Sequence, residues 1–111
     1  MRSLPILLYQ HEWLRAGEAA YDSVARQTIS PKDSALAVAA IRMHARTTGN
    51  QERARAALES MSGVQWDPTG GPMLPARPGL REAAIGLVDV LFALGREQQG
   101  RQLLALILGQ M

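Results

Sequence analysis

Glycine and proline cut this chain into short pieces, and the pieces carry the 3.6-residue rhythm of helices. No stretch combines alternation with β-branched enrichment. Val and Ile are scattered, whereas the strong helix formers Ala and Leu dominate. The pattern predicts helices over Leu4–Ala16, Glu18–Ile29, Pro31 to Thr48, Gln51–Ser62, Leu80–Leu94 and Arg96–Gly109, with no strand. Turns fall at Gly17, at Gly49-Asn50 and at Gly95. Ser30-Pro31-Lys32-Asp33 is the best local start signal: Ser30 suits an N-cap, Pro31 the first helical position, and Asp33 a capping-box carboxylate. The run from Ala35 to Ile41 is apolar on most sides, so that helix is expected to be central. Gln51–Ser62 has an apolar stripe at Ala54, Ala57, Leu58 and Met61. Opposite it, Glu52, Arg55 and Glu59 are spaced for ion pairs on a solvated face.

Between Gly63 and Gly79, four glycines and four prolines exclude a regular helix. A loop this long in a small domain is functional, disordered or packed down by its own side chains, and Trp66, Met73 and Leu74 offer that packing. The last segment is apolar on more than one face, through Leu103, Leu104, Leu106, Ile107 and Leu108. A helix of that kind needs a neighbour on each side, which points to a fragment of a longer array or half of a dimer.

With 111 residues, 47% hydrophobic and 20% charged, the chain matches a single folded all-α domain. It has no cysteine, which excludes disulfide scaffolds, zinc-thiolate sites and thiol nucleophiles. The pI near 9.7 reflects arginine chemistry, because twelve basic and ten acidic residues give a net charge of only +2. Lys32 is the only lysine, an arginine bias typical of GC-rich bacterial coding. Arg42, Arg46, Arg53 and Arg55 cluster, but neither further bases nor stacking aromatics accompany them, so nucleic acid is not an expected partner. No apolar run is long enough for a bilayer, and Met1–Tyr9 is a poor signal peptide; a cytoplasmic, soluble protein is expected.

No catalytic constellation assembles. His11 and His44 have no second ligand at metal spacing, the serines lack nucleophile-elbow glycines, and Gly70-Gly71 lacks the lysine of a phosphate loop. The expectation is a non-enzyme without cofactor or metal.

The turns at Gly17 and Gly49 lie 32 residues apart, and the next interval, which contains the Gly/Pro-rich loop, is 46. Thr48-Gly49-Asn50-Gln51-Glu52-Arg53-Ala54 and Leu94-Gly95-Arg96-Glu97-Gln98-Gln99-Gly100 each pair a turn with a small residue five positions after its glycine. Leu58 and Leu104 follow as large apolar residues. In these features the chain resembles the tetratricopeptide repeat. The resemblance implies one domain of about three antiparallel hairpins (4–29, 31–62 and 80–109) stacked in a right-handed array, with a long loop over 63–79. Departures are Arg42 and Val88 at first-helix positions the family keeps small, and Asp22 in the first unit. A generic antiparallel bundle shares much of the pattern.

The resemblance further implies a concave groove lined by the first helix of each hairpin. Carried over residue by residue, that gives His11 and Leu14, then Ala39, Met43 and Arg46, then Glu82, Ile85, Asp89 and Phe92. The Lys/Asn set that clamps a terminal carboxylate in chaperone-binding members is missing. The expected function is protein–protein interaction, with a protein or peptide segment held in the groove, within a larger bacterial protein. Met43 and Phe92 read equally as core, and Arg46 as a simple interhelix partner. The alternative is a regulatory or oligomerisation domain of a signalling or transcriptional regulator. In that case Leu103, Leu104 and Ile107 would dock on the parent chain or on a twin. A pocket between the hairpins, covered by the Trp66 loop, is a third reading.

Overall fold

The computed structural model describes residues 3–29, 31–68, 71–74 and 81–109, with side chains from Glu12 onward apart from that of Pro31. Five helices appear: α1 (Ser3–Arg26), α2 (Ser34–Thr48), α3 (Gln51–Ser62), α4 (Arg81–Ala93) and α5 (Glu97–Gly109). A 3₁₀ turn, Pro31–Asp33, leads into α2. The all-helical expectation holds in outline, with three corrections.

The first concerns Gly17, which does not turn the chain; α1 runs through it for 24 residues. A glycine inside a helix costs about 1 kcal/mol relative to alanine. Here it permits a close approach, since a Cβ at Gly17 would sit 2.5 Å from the Cβ of His44 on α2. The 4–29 segment is therefore one helix packed on α2 and α3, not a hairpin. Gln27 ends it in the left-handed conformation, φ 57°, and the Thr28 amide donates to the Ser23 carbonyl at 3.0 Å.

The second concerns the start of α2, which begins at Ser34, three residues later than expected. Asp33 occupies the cap position without a side-chain cap bond. Ser30, the expected cap, lies outside the described residues.

The third is a small antiparallel ribbon inside the expected loop, β1 (Gln65–Asp67) and β2 (Gly71–Met73), with Trp66 opposite Pro72. Proline is tolerated because each strand is an edge and needs no second ladder. Trp66 and Leu74 do pack against the core, and the Trp66 indole donates to Glu59 Oε1 at 2.9 Å. Met73, expected beside them, is exposed instead.

The turns expected at Gly49 and Gly95 form as their residues dictate. Gly49 adopts φ 78° and its amide donates to Ala45, while Asn50 Oδ1 accepts from the Arg53 amide at 3.2 Å. Gly95, at φ 77°, ends the α4 hairpin arm in the same way. The solvated face of α3 carries the expected pairs: Arg55 bridges Glu52 at 2.8 Å and Glu59 at 2.7 Å. Arg96, at the α4–α5 turn, also reaches Glu52 at 2.6 Å.

Helix α1 packs chiefly on α2, α3 on α4, and α5 on α4 and the ribbon, while α2 also meets α4 and α1 meets α3. Ile41, Leu58, Leu87, Leu91 and Leu103 are completely buried where these helices meet. Each contributes about 1.5–3 kcal/mol relative to an exposed side chain. Among the described residues, no helix is long and apolar enough to cross a membrane.

Candidate functional site

Two features place the α2–α4 surface. Gly86 removes the side chain that would otherwise hold α2 away, because a Cβ there would come within 2.9 Å of Val38 Cγ1 and 3.4 Å of Arg42 Cδ. Helical spacing then aligns Glu82, Ile85, Asp89 and Phe92 along α4, all exposed. From α2, Arg42 pairs with the Asp89 carboxylate, and Arg46 Nη2 stands 4.0 Å from the same oxygen. Together with Gln51, Val90, Phe92 and Ala93 these side chains line a cleft of about 380 Å³. Phe92 is anchored on its far side by α5, where its ring lies 3.2–3.3 Å from where a Cβ at Gly100 would sit.

The cleft has two guanidiniums and one carboxylate. Arg42 is one third exposed and committed to Asp89, whereas Arg46 is 65% exposed at the limit of ion-pair distance. An exposed pair of that length contributes little to stability. The Arg46 guanidinium, a planar five-donor fork, is thus available to a second carboxylate.

The expected groove residues fall unevenly. Arg46, Glu82, Ile85, Asp89 and Phe92 are exposed, while Ala39 and Met43 are half-buried on α2. Leu14 is half-buried on α1, and the side chain of His11 lies outside the described residues. Among the expected docking residues of α5, Leu103 and Ile107 are core, 0% and 3% exposed, and only Leu104 reaches solvent. Leu103 and Ile107 are therefore corrected as docking residues, since they belong to this molecule's own core on a helix packed against α4 and the ribbon, while Leu104 and Leu108 leave an apolar face open. Gly71 sits close to the Gln102 side chain, with 3.8 Å from a Cβ position to Cδ.

A second polar cluster escaped the sequence. His44 is buried on α2, and its Nε2 lies 3.0 Å from Glu18 Oε1. An ionised carboxylate only accepts, so Nε2 carries the proton. Arg53 of α3 donates from both terminal nitrogens to Glu18, at 2.8 and 2.9 Å, and its guanidinium lies 3.9 Å over the Tyr21 ring. Tyr21 meets His44 edge-on at 5.3 Å between centroids. The Arg53 bond, above all, lowers the Glu18 pKa to about 2, and the His44 contact adds to it. Burial raises the Tyr21 phenol, and the Glu18 charge pushes the same way against Arg53. Tyr21 Oη and His44 Nδ1 have no hydrogen-bond partner among the described residues. Sequence spacing hides this cluster, because its members lie 26 and 35 residues apart and only the glycine brings them together. It joins three helices.

Among the described residues no group of three metal-ligating side chains converges. No family model, curated protein or solved structure matches the chain, so the case for a function rests on these residues alone.

Proposed function

We propose that the chain is a non-enzymatic interaction module that takes a protein segment along the α2–α4 face. The observation that carries this reading is the exposed stripe Ile85, Asp89 and Phe92 beside the loosely held Arg46. Soluble chains normally bury an isoleucine and a phenylalanine one helical repeat apart, and here they are 49% and 39% exposed. Ile85 and Phe92 offer apolar anchors, and Arg46 offers a charge that sets register, the elements of segment recognition on a helical surface.

The resemblance to tetratricopeptide repeats is compatible with this reading in a revised form. The α2–α3 and α4–α5 pairs would be two hairpins, and α1 the second helix of a preceding one. The helices lining the groove would then be α2 and α4, and His11 and Leu14 would not belong to it.

The test is selection from a displayed library of random linear peptides on the wild-type chain and on Arg46→Glu. Enriched peptides should combine a carboxylate with a large apolar residue, and Arg46→Glu should bind them at least tenfold more weakly. The reading fails if nothing is enriched, or if both proteins select the same peptides with equal affinity.

A further inference from the structure

A second surface, sharing no residue with the α2–α4 cleft, lies between α1 and α2. It is an open groove of about 930 Å³ with Trp13, Ala20, Ile29, Leu36 and Ala37 among its lining. Leu36 is 69% exposed there, a large cost for one leucine on a free surface. The small side chains of α1 and α2 keep the floor low. A helix about 10 Å across occupies roughly 900 Å³ in two turns, so the groove has the dimensions to seat one.

The other end of the molecule carries a helix with the matching face. On α5, Arg101, Leu104, Ala105 and Leu108 fall at i, i+3, i+4 and i+7, and all four are exposed. Leu104 and Leu108 are 39% and 58% exposed, while Gly100, Leu103 and Ile107 of the same helix, which packs on α4 and the ribbon, are buried. Charge agrees with shape. Among the described residues, the charged groups lining the groove, Glu12 and Asp33, are acids, and the cation of the stripe is Arg101. Its present partner is Glu97, an exposed pair one turn away at 2.9 Å, which is readily exchanged.

We propose that the groove between α1 and α2 receives α5 of a second copy of this chain, so that copies associate head to tail. Leu104 and Leu108 enter the groove beside Leu36 and Trp13, and Arg101 turns to the acids at its rim. The contact is heterologous: a pair of copies keeps one groove and one stripe unused, one on each copy, and assembly continues rather than closing at a symmetric pair.

Sedimentation or light scattering of the whole chain from low micromolar to several hundred micromolar tests this, with Leu36→Glu for the groove and Leu108→Glu for the stripe. Both positions are exposed, and circular dichroism checks that each variant folds. The wild type should rise with concentration beyond twice the 12.1 kDa of one chain. Each variant alone should stay at one chain. Mixed in equal amounts, the two should give a species of two chains and none larger, because only one competent groove and one competent stripe remain. A wild type that stays at one chain throughout overturns the proposal and leaves the groove to a helix of another protein. A wild type that self-associates while the mixture does not overturns the head-to-tail arrangement. The peptide selection reads the other face, so either result stands without the other.

Discussion

The molecule has two joints built on different principles. Where α3, α4 and α5 meet, Leu58, Leu87, Leu91 and Leu103 are wholly buried, with Ala83 and Ala84 filling the spaces between them. Where α1 meets α2 and α3, Ala20 and Tyr21 join the core with Trp13 and Val24 packed against it, and a polar cluster of Glu18, Tyr21, His44 and Arg53 closes over the bare backbone of Gly17. The apolar joint gains from every ångström of surface removed from water. The polar cluster gains little net energy, since Tyr21 Oη and His44 Nδ1 are buried without partners among the described residues, each at a cost of about 1–3 kcal/mol. What it supplies is geometry: a bidentate Arg53–Glu18 pair and a ring stacked under the guanidinium fix how α1 lies. The first joint is therefore apolar throughout, and the second adds to its apolar contacts a polar cluster that aligns α1.

The sharpest way to break the contrast is Leu91→Ala. A fully buried leucine in a closed core leaves a cavity the neighbours fill only partly, so the loss is about 2–5 kcal/mol. Chemical unfolding should show it as a shift of the single transition. A loss below about 1 kcal/mol would mean the α3–α5 joint is not the core of the fold.

Gly17→Ala comes next, and it acts on the other joint. The new Cβ must sit 2.5 Å from His44 Cβ, an atom fixed to its own helix and unable to swing aside. The helix gains about 1 kcal/mol of propensity and α1 is forced off α2, for a net loss of about 1–3 kcal/mol. Native-state hydrogen exchange separates the two joints: amides of α1 should exchange faster while those of α4 keep their protection. Equal acceleration in both helices would show that the joints are not separable.

Acid discriminates the joints through charge. The folded Glu18 pKa, held at about 2 chiefly by Arg53, lies below the ordinary 4.5. Its stabilisation is therefore complete above about pH 4.5 and disappears as pH falls toward 2. The stability difference between wild type and Glu18→Gln should favour the wild type at neutral pH and shrink through that window. Glu52, lowered mainly by its bond to Arg55, titrates in both proteins and cancels in the comparison. A difference constant from pH 6 to pH 3 would show that Glu18 acts by packing rather than by its charge.

How much of this was readable before the fold follows the same division. The α2–α3 and α4–α5 connections were legible because Gly49, Asn50 and Gly95 act locally: a left-handed φ and an N-cap need no distant partner. Gly17 was not, because a missing Cβ serves a turn and a close approach equally, and only the position of His44 tells them apart. His44 looks isolated in the sequence for the same reason. The ribbon was invisible because three-residue strands carry too few residues for a period, and Gly and Pro mask them. On the candidate surface, spacing along α4 suffices to align Glu82, Ile85, Asp89 and Phe92, but the pairing of Arg42 with Asp89 depends on Gly86 and on tertiary packing. Leu103 and Ile107 were misread as free because the ribbon that helps cover their helix was itself unseen.

The smallest expected effect is a gain, and it lies at the polar joint. Helices α2 and α3 end on Gly49 and Gly63, and the α4 arm on Gly95, each with φ between 73° and 78°. Helix α1 ends on Gln27 at φ 57°, the one non-glycine residue in that region among those described. A side chain there pays for a Cβ crowding the following carbonyl, about 1–2 kcal/mol. Gln27→Gly relieves that cost but loosens the unfolded chain, which returns part of the gain. The net should be a stabilisation of about 0.5–1 kcal/mol, read as a rise in the urea midpoint with an unchanged slope. Because the strain lies where α1 leaves for α2, the gain should appear first as slower exchange of the last α1 amides. A Gln27→Ala control, which keeps the Cβ, should show none of it. If Gln27→Gly and Gln27→Ala are equally stable, the left-handed turn carries no strain, and the cost at the α1 joint comes from the buried groups that lack partners among the described residues.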